Sequence, residues 1–322
     1  MKYFTEKGIE FSKIGLGTGR FGTRVSEKLS YQMLDYFLEQ GGNVIDTARN
    51  YYEWVENGRG KSEETIGKWM SLRKCRDDVR ISTKGGVRNE GKTFIVNLSK
   101  EALTKEVHES LSALQTDHVD IYLLHRDEPE RAVGEIMETL QGISELAKPV
   151  LLGVSNWAAD RVKSANDYAR KHNMREIEVV QTWWSIASYT PEMWNDDTTT
   201  YMDEQMYEYL LKEQKIGMAY TSQAKGFFQK AIKNGYENVD EFLKKRIATQ
   251  SNRKKLQEID AYCLEKNVSP TGVVSGYITD NPLKGIALVS CSSIEQLQDI
   301  MCHCDEQVEK DFIEKMRGTA NE

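Results

Sequence analysis

Apolar residues in this chain gather in eight short runs of strand type, separated by longer segments with helical spacing. The runs are "KIGLGT" (13–18), "NVIDTA" (43–48), "VRISTKG" (79–85), "VDIYLLH" (119–125), "VLLGVSN" (150–156), "IEVVQTWWS" (177–185), "IGMAYTS" (216–222) and "GIALVSCS" (285–292). They read as near-continuous apolar stretches, the pattern of strands covered on both faces. Between them lie amphipathic segments such as 99–115, opened by the capping-type Ser99, and 132–147. Eight such units predict an α/β fold, a closed (β/α)8 TIM barrel. An open doubly wound sheet would show the same alternation, because periodicity does not report closure. The opening "FTEKGIEFS" predicts an N-terminal β-hairpin turning at Lys7-Gly8, and helical sequence from about 305 onward predicts an extra C-terminal helix.

Composition changes this picture little. The chain has 322 residues, 39% hydrophobic and 29% charged, enough for a large core. No repeat, low-complexity tract or linker interrupts it, so residues 1–322 are expected to form one domain. The net charge of −7, with basic residues scattered among acidic ones, argues against a nucleic-acid groove or an anionic membrane surface as partner. Without a signal-type or membrane-spanning apolar stretch, the expected location is cytoplasmic. Five cysteines in so long a chain do not make a disulfide framework. "CHC" at 302–304 is too small a ligand set for zinc, and no metal is expected. "GLGTGRFG" lacks the dinucleotide fingerprint, so its glycines read as a strand-end turn.

The chemistry concentrates where strands end. In a barrel the reactive groups sit at the C-terminal rim, and four runs end on residues foreign to an apolar layer: Asp46, Lys84, His125 and the Ser155-Asn156 pair. Lysine and aspartate brought together there would form a partly buried pair. The lysine's charge beside a phenol would lower that phenol's pKa from about 10 toward working pH. Tyr51, five residues after Asp46, is the phenol within reach. So tuned, it could protonate a carbonyl oxygen while His125 orients that carbonyl. Taken singly, these residues have plainer readings. Asp46 could cap a helix, Lys84 could be solvated, His125 could be structural and Tyr51 could be loop packing. Their order and joint occurrence favour catalysis.

In this set of motifs the chain resembles the aldo-keto reductase superfamily over nearly its whole length. "GLGT", "DTARNY", "STKGG", "DHVDIYLLHRDEPER", "GVSNW", Q-x-x-W-S at 181–185 and "AYTSQAKG" occur in order. The resemblance implies a nicotinamide cofactor bound in extended form and a tetrad of Asp46, Tyr51, Lys84 and His125. It further implies that Ser155, Asn156 and Gln181 hold the carboxamide and that Trp184 stacks on the nicotinamide ring. Gly17 and Thr18 would lie close to the cofactor, and Tyr220, Thr221, Gln223 and Lys225 would lie toward its phosphates.

Three departures stand out. Tyr52 replaces the glycine common after the tyrosine, and the loop "EWVENGRGK" is longer than usual, which reshapes the entrance and brings Trp54 to its wall. Trp184 stands where tyrosine is usual. In the last unit Ser290, Ser292 and Gln296 replace bases that grip the 2′-phosphate. NADP(H) is the family default, and loss of those charges makes NAD(H) a possible alternative. The implied reaction is hydride transfer between nicotinamide and a carbonyl or alcohol; a nicotinamide-binding regulatory subunit and a Schiff-base lyase built on Lys84 are competing readings. Tyr52, Trp54, Arg126 and Trp183 are the substrate candidates. Arg126 and the polar "NDDTTT" (195–200) point to a polar small molecule such as a sugar or polyol. The aromatic run Trp183, Trp184, Tyr189 and Trp194 reads equally as core or as pocket wall. Oligomeric state is not legible.

Overall fold

A computed structural model describes residues 1–90, 93–188, 196 and 198–318. Each of the eight apolar runs becomes a strand. In chain order the strands are β1 (Tyr3–Glu6), β2 (Ile9–Ser12), β3 (Ile14–Gly17), β4 (Val44–Asp46), β5 (Arg80–Gly85), β6 (Val87–Glu90), β7 (Thr93–Val96), β8 (Ile121–Leu124), β9 (Leu151–Ser155), β10 (Val179–Trp183), β11 (Ile216–Tyr220) and β12 (Gly285–Val289). Strands β3, β4, β5, β8, β9, β10, β11 and β12 pair in parallel in that order and close on themselves, so the sheet is a barrel and the open doubly wound alternative is excluded. Seven of the eight barrel strands stop one to three residues short of the end of their apolar runs, because the last residues turn across the rim, while β5 continues to the end of its run at Gly85.

The helices on the outside are α1 (Glu27–Glu39), α2 (Lys61–Arg73), α3 (Lys100–Leu114), α4 (Val133–Ala147), α5 (Ala159–Lys171), α6 (Glu204–Lys212), α7 (Phe227–Asn234), α8 (Glu241–Ile247), α9 (Gln250–Lys266), α10 (Pro270–Thr279), α11 (Ile294–His303) and α12 (Lys310–Gly318). Ser99 caps α3 by accepting from the Ala102 amide, as its sequence position suggests. The extra C-terminal helix is α12. It begins at Lys310, later than expected, because the chain turns at 304–309 before re-entering a helix. No helix among the described residues is long and apolar enough to cross a membrane.

Two hairpins decorate the barrel. β1 and β2 pair around Lys7 and Gly8, both at positive φ, as the mirror-image hairpin turns require. This hairpin carries Phe11, which is fully buried against the barrel's interior residues Val44, Ile121, Leu151, Val179 and Ile286 and plugs the end away from the reactive rim. The second hairpin, β6–β7, follows β5 directly and stands above the rim. Its alternating mix of charged and apolar residues gave no expectation of a strand pair.

Side-chain parity along the barrel strands then decides what reaches the interior. Ile121 and Leu123 point in while Tyr122 and Leu124 face the helices, and the same two-residue period runs through every barrel strand. Parity carries Asp46, Ser82, Lys84, His125, Gln181 and Tyr220 to one end of one cavity. Removing the Phe11 plug should cost about 3–5 kcal/mol, the usual range for a buried Phe→Ala change. Urea denaturation of Phe11→Ala checks this, and the fall in midpoint should occur without a change in the rim groups' chemistry.

Candidate active site

The centre of the site is a buried ion pair. Lys84 Nζ lies 2.7 and 2.9 Å from the Asp46 carboxylate oxygens, 2.8 Å from the Thr47 carbonyl and 2.8 Å from the Tyr51 hydroxyl. The lysine side chain has no exposed surface. Asp46 is further held by Ser82 Oγ and Gln181 Nε2, each 2.9 Å from Oδ1, while the Tyr51 hydroxyl donates to Oδ2 at 3.2 Å. Every lone pair that burial would otherwise leave bare thus has a donor, the condition under which a buried pair survives its desolvation. Lys84 has four oxygen neighbours for three N–H bonds and no route to solvent. That arrangement suits a fixed charge and opposes a Schiff-base nucleophile.

The electrostatics correct one expectation. Burial is the largest influence on Tyr51, and the adjacent Asp46 carboxylate adds to it, so the phenol's pKa stands well above 10 instead of moving toward neutrality. Lys84 cannot offset this, because its charge is already shared with Asp46, and burial lowers its own pKa while Asp46 opposes that fall. Tyr51 is therefore a protonated phenol at neutral pH. His125 lies edge-on to it with ring centroids 5.8 Å apart. Burial first, then the charges of Arg126 and Lys84, holds its imidazole well below the ordinary histidine range, so it is neutral. Its Nδ1 is buried and has no partner among the described residues.

Tyr51 is carried by the long loop, which is braced by charges that the sequence reading passed over. Arg49 binds Glu63 at 3.0 Å and Glu109 at 3.3 Å; Arg59 binds Glu53 at 2.8 Å and reaches Glu106 and Glu109. Glu63 is fully buried, and burial raises its pKa against the pull of Thr83 and Arg49. The available signal was a set of glutamates at 63, 106 and 109 on helix faces otherwise turned to the barrel. Tyr52, at positive φ, packs its ring 4.9 Å from Trp54, which is exposed at the mouth.

From Asp46 and Tyr51 a cleft of about 860 Å³ runs across the rim to the start of α11. Gly17, Tyr52, Trp54, Tyr220, Thr221, Gln223, Lys225, Ser290, Ser292 and Gln296 line it, all of them among the expected contacts. At Gly17 a Cβ would sit 2.6 Å from Ser290 Oγ, so any larger residue would force Ser290 to turn away. The cleft also brings in Arg20, Lys230 and Lys233, bases from two separate stretches that the sequence reading missed because it looked for them only around 290–296. Lys233 is paired with Asp299 at 2.7 Å. Lys225 has its pKa pulled down to about 8, by burial first and then by Arg246 and Arg20.

Other expected contacts lie elsewhere. Trp184 is corrected outright: Val179, Gln181 and Trp183 point inward, so Trp184 points outward. Its ring fills the space over Gly217 and Gly285, where any Cβ would come within about 3 Å of it. From β10 and β11 the aromatic side chains that reach the rim are Trp183 and Tyr220, whose rings meet at 6.2 Å. Thr18, Ser155, Asn156 and Gln181 are buried and do not line the cleft. Thr18 donates to the Asp46 carbonyl, and Asn156 accepts from Tyr220 Oη at 2.7 Å and donates to Ser155. Arg126 sits at the rim beside Thr198. Tyr189, Trp194, Asn195 and Asp197 fall outside the described residues. At 302–304, Cys302 is exposed, Cys304 is buried and His303 binds Glu306; no group of three ligand-type side chains is gathered for a metal among the described residues.

A closed parallel barrel with this buried quartet at its C-terminal rim has a counterpart in sequence. Residues 13–321 match the model of the aldo/keto reductase family, and the chain belongs to that family. It is 32% identical to norsolorinic acid reductase B of Dothistroma septosporum over 56% of this chain and 47% of that protein. It is 25% identical to the uncharacterized oxidoreductase YrpG of Bacillus subtilis over 97% of this chain and 93% of the other. A Saccharomyces cerevisiae protein, AAD14, whose name assigns it provisionally to the aryl-alcohol dehydrogenases, is 33% identical over 56% of this chain and 50% of its own length. The matched region thus spans about half the length of the norsolorinic acid reductase.

Lys84→Met would leave the Asp46 carboxylate buried without its counter-ion and should destabilise the fold by about 3–5 kcal/mol. Adding Asp46→Asn should restore part of that loss, and a double-mutant cycle by chemical denaturation measures the coupling.

Proposed function

We propose that the protein is an NAD(P)(H)-dependent oxidoreductase that interconverts a carbonyl and an alcohol on a small molecule. The observation that carries this reading is the Tyr51 hydroxyl, which takes a hydrogen bond from Lys84 and gives one to Asp46 beside a neutral His125. A phenol kept protonated by burial is a stored acid. As a carbonyl carbon gains hydride, its oxygen becomes an alkoxide, more basic than phenolate, and the Tyr51 proton moves to it. The phenolate left behind is met at once by the Lys84 N–H at 2.8 Å, whose position is set in advance by Asp46. His125, being neutral, can direct an N–H at the carbonyl oxygen without competing for the proton. In the reverse direction the same groups withdraw the alcohol's proton.

A nicotinamide cofactor bound in the cleft would supply or accept the hydride. The cleft fits such a group: it is long, floored by Gly17, walled by Tyr220 and edged by cations where phosphates would lie. Tyr220 takes the stacking place once given to Trp184. Thr221, Gln223 and Lys225 would hold phosphate, and Ser290, Ser292 and Gln296 the adenosine end. Thr18, Ser155, Asn156 and Gln181 act behind this surface by fixing Asp46 and Tyr220. Arg20 and Lys230 supply positive charge that the 290–296 segment lacks, which favours NADP(H) over NAD(H). For the substrate, the names of the relatives and the aromatic mouth of Tyr52 and Trp54 favour an aryl carbonyl over the sugar or polyol first inferred.

Tyr51→Phe should lower turnover of an aryl aldehyde by roughly 10²- to 10⁴-fold, the usual share of acid–base catalysis. Cofactor affinity, read by fluorescence titration, should hold; full turnover in this variant would refute the assignment. Lys225 sets a pH dependence. Below about 8 it is charged and attracts phosphate, and above it neutralises. Affinity for NADPH should therefore weaken by about tenfold between pH 7 and 9, and Lys225→Met should flatten that slope. A slope that survives in the variant would remove Lys225 from the phosphate site.

A further inference from the structure

Arg126 is a cation that the fold places next to His125 and that the described residues do not fully pair. It follows His125 at the rim end of β8, and only 11% of its side chain is exposed. A guanidinium has five N–H donors. Among the described residues two are engaged, both by neutral oxygens: Nε donates to Thr198 Oγ1 at 3.1 Å and Nη1 to the His125 carbonyl at 3.2 Å. The carboxylate nearby, Asp196, stays 3.7 Å from Nη2, outside hydrogen-bonding distance. Arg73 meets Asp35 at 2.7 Å and Arg161 meets Asp127 at 3.0 Å, while the exposed Arg88 keeps a comparably long 3.8 Å from Glu106. The Phe94 ring of the β6–β7 hairpin lies 5.4 Å from the Arg126 Cζ and covers one face of the group.

The charge is held beside the catalytic groups: Nη1 is tied to the carbonyl of His125, whose own ring meets Tyr51 edge-on. A mostly buried guanidinium with donors that no described residue engages is the group best shaped to grip a carboxylate through two parallel hydrogen bonds.

We propose that Arg126 is a specificity-determining residue that binds a carboxylate on the substrate, so that the preferred substrates are aryl carbonyl compounds bearing an acid group. This rests on the carbonyl-reductase reading given above. Binding exchanges the long Asp196 contact for a direct one, while the aromatic walls take the ring and Tyr51 and His125 take the carbonyl.

The test compares 4-carboxybenzaldehyde with its neutral methyl ester, at saturating NADPH, in the wild-type protein and in Arg126→Gln and Arg126→Lys. The wild type should favour the acid by about tenfold in kcat/KM, mostly through KM. Arg126→Gln should bring the ratio near one, with Arg126→Lys between. A wild-type ratio at or below one would overturn the proposal, and so would an equal loss on both aldehydes in Arg126→Gln, which is the mark of a merely structural role. Should neither aldehyde turn over, the carbonyl-reductase reading fails separately. Quenching of tryptophan fluorescence by benzoate against benzamide then decides for Arg126: binding of benzoate that Arg126→Gln abolishes supports it, and benzoate binding no better than benzamide overturns it.

Discussion

The Lys84–Asp46 pair is the constraint around which the rest of the rim is organised. Two opposite charges without solvent survive only if geometry and hydrogen bonding repay their lost hydration. Four strands contribute to that repayment. β4 supplies the carboxylate, β5 the ammonium and Ser82, and β10 Gln181, while β3 leads into Thr18, which ties the Asp46 carbonyl. Parallel registers such as Gly17 opposite Asp46 and Asp46 opposite Ser82 set these groups at one height. Closure of the barrel then brings β10 across the interior to Asp46, 135 residues away in sequence.

What the pair does for Tyr51 is less obvious than its position suggests. A lysine beside a phenol ordinarily favours the phenolate, yet here the ammonium is already neutralised by Asp46, and the same carboxylate accepts from the phenol. The phenol keeps its proton, and the Lys84 N–H stands 2.8 Å from the oxygen that would carry the charge if that proton left. This division of labour depends on where the loop from Arg49 to Gly60 holds Tyr51. Its bracing by Arg49 and Arg59 on Glu63, Glu106 and Glu109 explains how a loop with an inserted stretch can still present one hydroxyl to within 2.8 Å of Lys84. Beyond the pair, cations from separate stretches stand at two parts of the rim, Arg20 and Lys225 on the cleft and Arg126 beside His125.

Much of this was legible before any coordinates. Eight apolar runs gave eight barrel strands, and a polar residue ending an apolar strand marked Asp46, Lys84 and His125 because a packed barrel interior admits such groups only at its rim. The hairpin at Lys7-Gly8 and the cap at Ser99 followed from local backbone preferences, which neighbouring residues largely decide. The β6–β7 hairpin was missed for the complementary reason: Arg88, Asn89 and Glu90 carry no strand signal, and the pairing is held by the rim beneath it.

The sequence by itself determined the architecture, the set of reactive residue types and the strand ends that bear them, since periodicity and hydrophobic burial act over a few residues and leave their mark locally. It even contained the correction for Trp184, because counting by twos from Gln181 turns Trp183 inward and Trp184 outward. Only the tertiary structure decided the protonation of Tyr51, the gathering of Arg20, Lys225 and Lys230 along one cleft and the placing of Arg126 between Thr198, Phe94 and the His125 carbonyl. Those properties come from charges distant in sequence that closure of the barrel brings together away from water, where desolvation and Coulomb interactions are strong and depend on distances that no local pattern records.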